Sequence, residues 1–149
     1  MVKRFNFRLE RLLRYRRSLS QRERVNLARE VGVLSEAEAA VAKLRGYANE
    51  MGILQHRKLD TGTTSTEVVN LHEHMVRVQE SIVHAESDID KAQDAVEKQR
   101  TVLVEKRREE RAIELYKARK WKLWLKDYYR DENRTMDDLA IIRHVKSET

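Results

Sequence analysis

The side chains best suited to metal chemistry are the histidines and the acids beside them. His72 and His74 flank Glu73, and imidazole and carboxylate groups are common zinc ligands. On a helix, however, residues two apart point in different directions, whereas a helical zinc motif needs two histidines four residues apart. Because no histidine pair in the chain has that spacing, the sequence predicts no metal site.

The sequence gives equally little support for a catalytic site. Acids such as Asp88 and Asp90, or Glu109 and Glu110, stand in polar helical sequence, where no apolar surroundings would prepare a carboxylate for acid–base catalysis. The chain has no cysteine, and we find no glycine-rich phosphate loop, nucleophile elbow or dinucleotide fingerprint. We therefore expect no enzymatic activity and no cofactor.

An aromatic cluster interleaved with lysine and arginine is a stronger candidate for binding. Its members are Tyr116, Trp121, Trp124, Tyr128 and Tyr129. Tryptophan and tyrosine beside basic residues are typical anchors of protein interfaces. The alternative interpretation is that Trp124 only continues an intramolecular seam and packs on Phe5 or Phe7.

Positive charge is concentrated in two distant segments. The net charge of +6 divides into +7 for residues 1–30, −5 for 31–105, +5 for 106–134 and −1 for the last fifteen residues. An excess of this kind predicts an acidic partner: a protein, a nucleic acid or an anionic membrane surface.

The composition predicts long helices. Of 149 residues, 38% are charged, four are glycine and none is proline, so few turns can form. No apolar stretch approaches the ~20 residues of a transmembrane helix, and the basic start leads into arginine-rich sequence instead of a signal core. We expect a cytoplasmic protein.

Heptad spacing is clearest in the second half of the chain. Eleven of fourteen positions are apolar in the a/d series, which predicts a coiled-coil seam: Val68, Leu71, Met75, Val78, Ile82, Ala85, Ile89, Ala92, Val96, Gln99, Leu103, Lys106, Glu110 and Ile113. A looser stripe in the first half runs from Leu27 through Val31 to Leu54, preceded by Phe5, Leu9, Leu12 and Leu19.

A polar, glycine-containing stretch separates the two stripes, and Thr64 with Glu67 matches a capping box. The predicted fold is all-α: one domain forming a long antiparallel two-helix coiled-coil hairpin. We expect helices over about 5–58 and 67–145, joined by a turn at about 59–66. Residue i then lies near residue 124 − i, and the longer second helix overhangs from about residue 120, beyond the reach of the first.

Three motifs resemble the FliJ family of flagellar export proteins. Residues 5–16 (Phe-Asn-Phe-Arg-Leu-Glu-Arg-Leu-Leu-Arg-Tyr-Arg) resemble the family's basic Phe-x-Phe-x-Leu-Glu-x-x-Leu start. Residues 107–115 resemble its charged late-helix segment. Residues 132–140 (Glu-Asn-Arg-Thr-Met-Asp-Asp-Leu-Ala) resemble its closing pattern.

The resemblance implies a non-enzymatic stalk similar to the gamma subunit of rotary ATP synthases. Such a stalk would dock in the hexameric export ATPase, contact the cytoplasmic domain of the export gate FlhA and escort export chaperones. It would be peripherally associated with the export apparatus of the inner membrane, with no transmembrane segment of its own and no specific nucleic acid partner.

Two residue sets carry the expected contacts. Basic and aromatic residues would dock on the ATPase: Arg4, Phe5, Phe7, Arg8, Arg11, Arg14, Lys117, Arg119, Lys120, Trp121, Lys122 and Trp124. The resemblance places the gate contact at Leu44, Tyr47, Met51, His74, Val78 and Ser81.

Three alternatives stay open at this point. The chain could be the equivalent stalk of a virulence type III secretion system. It could be a basic coiled coil that binds nucleic acid or anionic lipid without sequence preference. It could also be a self-associating scaffold.

Overall fold

The chain folds as an all-α helical hairpin, as its heptad pattern predicts. A computed structural model describes residues 4–147, in which α1 spans Glu10–Thr61 and α2 spans Ser65–Ser147. The helices are 52 and 83 residues long and pack against each other. No β-strand occurs between residues 4 and 147.

The turn is shorter than the eight residues expected, because both helices continue into it. Only Gly62, Thr63 and Thr64 lie between the helices, and Gly62 has a φ of +90°, a conformation that side chains with a Cβ disfavour. The Thr64 hydroxyl accepts a hydrogen bond from the Glu67 amide at 3.4 Å, which confirms half of the capping box. The Glu67 carboxylate instead accepts a hydrogen bond from the Thr63 hydroxyl at 2.6 Å.

Alanine at two glycines is expected to shift stability in opposite directions. Gly62→Ala should destabilise the fold by about 1 kcal/mol because of its positive φ. Gly46→Ala should stabilise it by about 0.5–1 kcal/mol, since a Cβ there meets nothing within 4 Å in the middle of α1. Urea unfolding followed by circular dichroism measures both, and shifts of the same sign would contradict the assignment of the turn.

Two compact units divide the chain, and both helices contribute to each. Unit 1 contains the residues up to Gln21 and those from Glu105 onward, whereas unit 2 is Arg22–Val104. Unit 1 contains the predicted ATPase-docking residues, and unit 2 contains the predicted gate contacts.

The α2 seam has the register that the heptads predict. All fourteen a/d positions from Val68 to Ile113 are buried or half-buried. The most buried are Val78, Ile82, Ala92, Val96 and Leu103. The heptad pattern alone therefore identified the buried face of α2.

The α1 seam follows most of the stripe predicted for it but departs from it at three positions. Val31, Leu54 and Leu12 are exposed, whereas Leu13 is fully buried. Most covered positions follow a three-four spacing that includes polar residues: Leu13, Arg16, Ser20, Glu23, Leu27, Glu30, Leu34, Ala37, Val41, Leu44, Ala48, Met51 and Gln55. Because facing seams must match layer by layer, the regular seam of α2 selects this register over the most apolar one.

Polar contacts between the helices of unit 2 confirm the antiparallel register. In unit 2, the Tyr47 hydroxyl lies 2.7 Å from His74 Nε2, three residues from the position that the 124 − i rule gives. The Gln99 side-chain amide donates to the Glu23 carboxylate and, at 3.3 Å, to the Glu23 carbonyl oxygen. A satisfied polar layer of this kind fixes register in coiled coils.

Helix α1 begins at Glu10 instead of near residue 5. Residues 4–7 are not helical, and the Glu10 amide donates to the Phe7 carbonyl oxygen at 3.1 Å. Phe5 and Phe7 are stacked with their ring centroids 6.5 Å apart, and both contact aromatic rings of α2. Residues two apart share a side in an extended chain but not in a helix, so this shared packing disfavours a helical start.

Candidate functional site

Most aromatic residues of unit 1 form one continuous cluster. The Phe5 ring meets Trp121 edge-on at 5.1 Å between centroids and Trp124 at 5.9 Å. Trp121 and Trp124 are stacked at 5.0 Å, and Trp124 stacks on Tyr128 at 5.3 Å. Aromatic pairs in such geometries stabilise a fold by about 0.5–1.5 kcal/mol each beyond their burial.

The predicted overhang would have left both tryptophans uncovered. The structure instead covers them in part. The segment before α1 covers them, and Trp124 packs on Phe5, as the alternative interpretation held. Phe7 is buried beside Tyr116, with centroids 6.0 Å apart, so it supports the cluster and presents no surface of its own. Trp121 keeps 45% of its surface exposed and remains available to a partner.

Cross-helix ion pairs relieve part of the charge repulsion in unit 1. Arg16 pairs with Glu109, and Arg17 lies 3.4 Å from Glu114 and 3.9 Å from Glu110. Solvent-exposed pairs of this kind stabilise a protein by about 0–1 kcal/mol each. These acids therefore hold the two basic segments together without neutralising them.

A fourth ion pair joins the two chain segments of unit 1. The Lys117 ammonium donates to the Glu10 carboxylate at 2.7 Å and lies 5.8 Å from the centroid of the Phe7 ring. The hydrogen bond from Lys117 lowers the pKa of Glu10. The contact therefore stabilises the fold above the ordinary carboxyl pKa, and this contribution is lost as the pH falls through the lowered value.

Most of the predicted docking cations remain uncompensated. Of the eight basic residues, only Lys117 forms an ion pair within the described chain, residues 4–147. The other seven are all exposed: Arg4, Arg8, Arg11, Arg14, Arg119, Lys120 and Lys122. Lys120 also lies 5.4 Å from the centroid of the Tyr116 ring. Unit 1 therefore combines unpaired positive charge with a partly exposed tryptophan.

An open depression of about 530 Å³ adjoins Trp121. Phe5 and Trp121 form its apolar part, and Arg17, Glu114 and Lys117 form its charged part, with Ala118 between. A mixed lining of this kind fits a protein side chain better than a buried cofactor, because it is shallow and solvated.

The six predicted gate residues all lie in unit 2, but they do not share a surface. Val78 is buried, and Leu44 and Met51 are half-buried seam positions. Tyr47 is exposed and packs edge-on against His74, with centroids 5.8 Å apart. Ser81 is exposed and donates to the Arg77 carbonyl oxygen at 3.0 Å. Tyr47, His74 and Ser81 therefore form the accessible part of this set.

Two further observations concern metal binding and membrane-spanning segments. Within residues 4–147, no group of three or more potential ligand side chains is placed to hold a metal ion. His72 is exposed, whereas His74 is engaged by Tyr47. The described helices also contain no segment with the length and apolar character of a membrane span.

Sequence reasoning missed the acids that join the basic segments. The 124 − i rule places Arg16 opposite residue 108 and Arg17 opposite residue 107, so Glu109 and Glu110 were within reach of both. It also missed Ser20, which is 2% exposed and whose hydroxyl has no hydrogen-bond partner among the described residues. No sequence signal marked Ser20, since its burial follows from the register that α2 imposes.

Comparison with known proteins agrees with this architecture. A solved structure described as a YscO homologue, CT670, from Chlamydia trachomatis has a similar fold, with a TM-score of 0.53 and 20% sequence identity. The similarity covers 95% of this chain and 96% of that chain. Curated protein sequences give no significant match. A family model described as the flagellar FliJ protein matches residues 5–149, and the chain therefore belongs to the FliJ family.

Proposed function

We propose that this chain is a non-enzymatic coupling protein of the flagellar type III export apparatus. Unit 1 docks in the hexameric export ATPase. The surface of unit 2 formed by Tyr47, His74 and Ser81 contacts the cytoplasmic domain of the export gate. The protein also escorts export chaperones. It acts in the cytoplasm, peripherally associated with the export apparatus at the inner membrane.

The observation that carries this proposal is the set of exposed, unpaired cations in unit 1, the unit that also contains Trp121. Seven exposed basic residues in unit 1 lack an ion pair within residues 4–147, and Trp121 of the same unit is 45% exposed. Charge of one sign speeds encounter with an oppositely charged partner, and a central aromatic anchor provides affinity once the partners meet. FliJ family membership supports export as the setting.

The test measures binding of the purified full-length chain to the export ATPase. One variant reverses four unpaired cations, Arg8, Arg11, Arg119 and Lys122, to glutamate. A second replaces Trp121 and Trp124 by alanine. We expect the charge reversal to weaken binding about 100-fold at low salt and the tryptophan pair to weaken it about tenfold.

A matched control reverses four exposed cations of unit 2: Arg24, Arg29, Lys91 and Lys98. It should bind the ATPase within about threefold of the wild type, because rim charges far from a contact change affinity little. Both unit 1 variants should still bind the cytoplasmic domain of the gate, which would show that they remain folded. Unchanged ATPase binding by both unit 1 variants would reject the assignment.

A virulence-type secretion stalk is the second candidate, and the fold shared with the YscO homologue supports it. Binding to the flagellar ATPase in preference to a virulence ATPase distinguishes the two. The nucleic acid alternative predicts binding of duplex DNA that weakens steeply with salt. DNA binding that competes with the ATPase at physiological salt would favour that alternative.

A further inference from the structure

A second heptad stripe runs along α2 outside its seam. Val69, Val76 and Val83 follow one another at seven-residue intervals, and they are 55%, 44% and 57% exposed. His72 and Gln79 stand between them, which completes a three-four spacing. We call this surface the valine face. Apolar residues at this spacing form the contact surface that a partner helix requires.

The valine face is not needed to hold the hairpin together. The seam of the same helix already contains Met75, Val78 and Ile82, which are buried or half-buried. Valine is also a weaker helix former than alanine or glutamate, because its branched Cβ loses rotamer freedom in a helix. Three exposed valines in register therefore call for an explanation outside the hairpin.

Part of the valine face lines an open depression. Val76 and Val83 line an open depression of about 290 Å³ together with Gln79, Glu80 and His84. These positions lie at i, i+3, i+4, i+7 and i+8, which is one side of a helix. The exposed lining is almost entirely apolar, as a contact with the apolar face of another helix requires.

The valine face is also distinct from the surface that contains Tyr47. His74, the partner of Tyr47, precedes the seam residue Met75, whereas Val76 follows it. Residues before and after an a position lie on opposite flanks of a coiled-coil seam. The valine face and the Tyr47 surface can therefore be tested separately.

The charge around the valine face decides which partner fits. Residues 67–90 carry six acids and only one lysine or arginine, Arg77. One of these acids, Glu86, forms an ion pair with Arg45 of α1 at 2.5 Å. Glu80 lines the depression and takes part in no ion pair among residues 4–147, whereas Glu73 lies 3.9 Å from Arg77. A second copy docked on the same face would bring acids against acids, which coiled coils avoid.

We propose that the valine face binds a basic amphipathic helix of a partner protein, forming a local three-helix coiled coil in unit 2. The apolar residues of that helix cover Val69, Val76 and Val83. Its flanking lysines or arginines lie against Glu73 and Glu80. This contact is independent of the ATPase-docking function, because it uses no residue of unit 1.

The test uses a synthetic probe of three heptads, about 21 residues long. The probe has leucine at its a and d positions and lysine at e and g, and a matched probe has glutamate at e and g. Titration into the full-length chain, followed by fluorescence anisotropy, should show saturable binding of the lysine probe. The glutamate probe should bind at least about tenfold more weakly because its charges face Glu73 and Glu80.

Two isosteric double variants locate the contact. Val76→Thr with Val83→Thr keeps shape and charge but makes the valine face polar, and should weaken lysine-probe binding about tenfold. Val25→Thr with Val33→Thr changes two other exposed valines of unit 2 and should leave binding within about twofold. Circular dichroism verifies that both variants are folded.

Three outcomes would overturn the proposal. The first is the absence of saturable binding by the lysine probe. The second is equal weakening by the two double variants, which would show general attraction to an acidic surface. The third is self-association of the wild-type chain in sedimentation equilibrium that only Val76→Thr with Val83→Thr abolishes, since this would assign the valine face to a second copy.

Discussion

Replacing Leu13 by alanine is expected to lower the free energy of unfolding by about 2–5 kcal/mol. Leu13 has a relative exposure of 0% and is the largest fully buried apolar side chain among residues 4–147. A two-helix unit has a thin core, so little surrounding structure can collapse into the cavity that alanine leaves. Urea unfolding followed by circular dichroism measures this loss. The midpoint urea concentration should fall, while the slope of unfolding free energy against urea concentration should stay unchanged.

Leu12→Ala is the matched control, since it removes the same atoms one residue away. Leu12 is 38% exposed, so its truncation should cost less than about 1 kcal/mol. Equal losses from the two variants would mean that α1 does not have the register described here.

Replacing Phe7 by alanine is expected to detach the segment before α1 from the aromatic cluster. Phe7 is 7% exposed and packs against Tyr116 and Phe5, and truncation of a buried phenylalanine costs about 3–5 kcal/mol. Because the segment lies outside the helices, this loss should appear mainly as local unfolding. The tryptophan emission should shift to the red as Phe5 leaves Trp121 and Trp124.

Hydrogen exchange gives a second measurement at the same place. The Glu10 amide donates to the Phe7 carbonyl oxygen, so its exchange should accelerate when the segment detaches. Tyr15→Ala, which removes an aromatic ring that is 58% exposed in the same unit, should change neither measurement. Unaltered emission in Phe7→Ala would show that Phe7 does not hold the segment in place.

The α2 sequence predicted its own buried face because its heptads are regular. All fourteen seam positions were identified from Val68 to Ile113 without knowledge of α1. The α1 pattern is less regular, and its most apolar spacing gave the wrong positions at Leu12, Val31 and Leu54. A seam with polar residues such as Ser20 becomes visible only once the partner helix is known.

The candidate site was predictable as a set of residues but not as a surface. The sequence identified the aromatic residues and the excess of basic residues, since type and density alone indicate them. It did not predict that Phe7 is buried, because burial depends on what lies opposite. The valine face also escaped notice, since an exposed stripe is recognised only after the seam of α2 has been located.

The sequence by itself determined that this protein is a helical hairpin with two basic segments. Heptads, few turn-forming residues and Gly62 specify that fold locally, through side-chain spacing and backbone preference. Tertiary structure decided which cations remain free, which aromatic residues are covered and where α1 begins. Those outcomes depend on contacts between residues about a hundred positions apart, such as Glu10 with Lys117, and only helix pairing sets the register that brings such residues together.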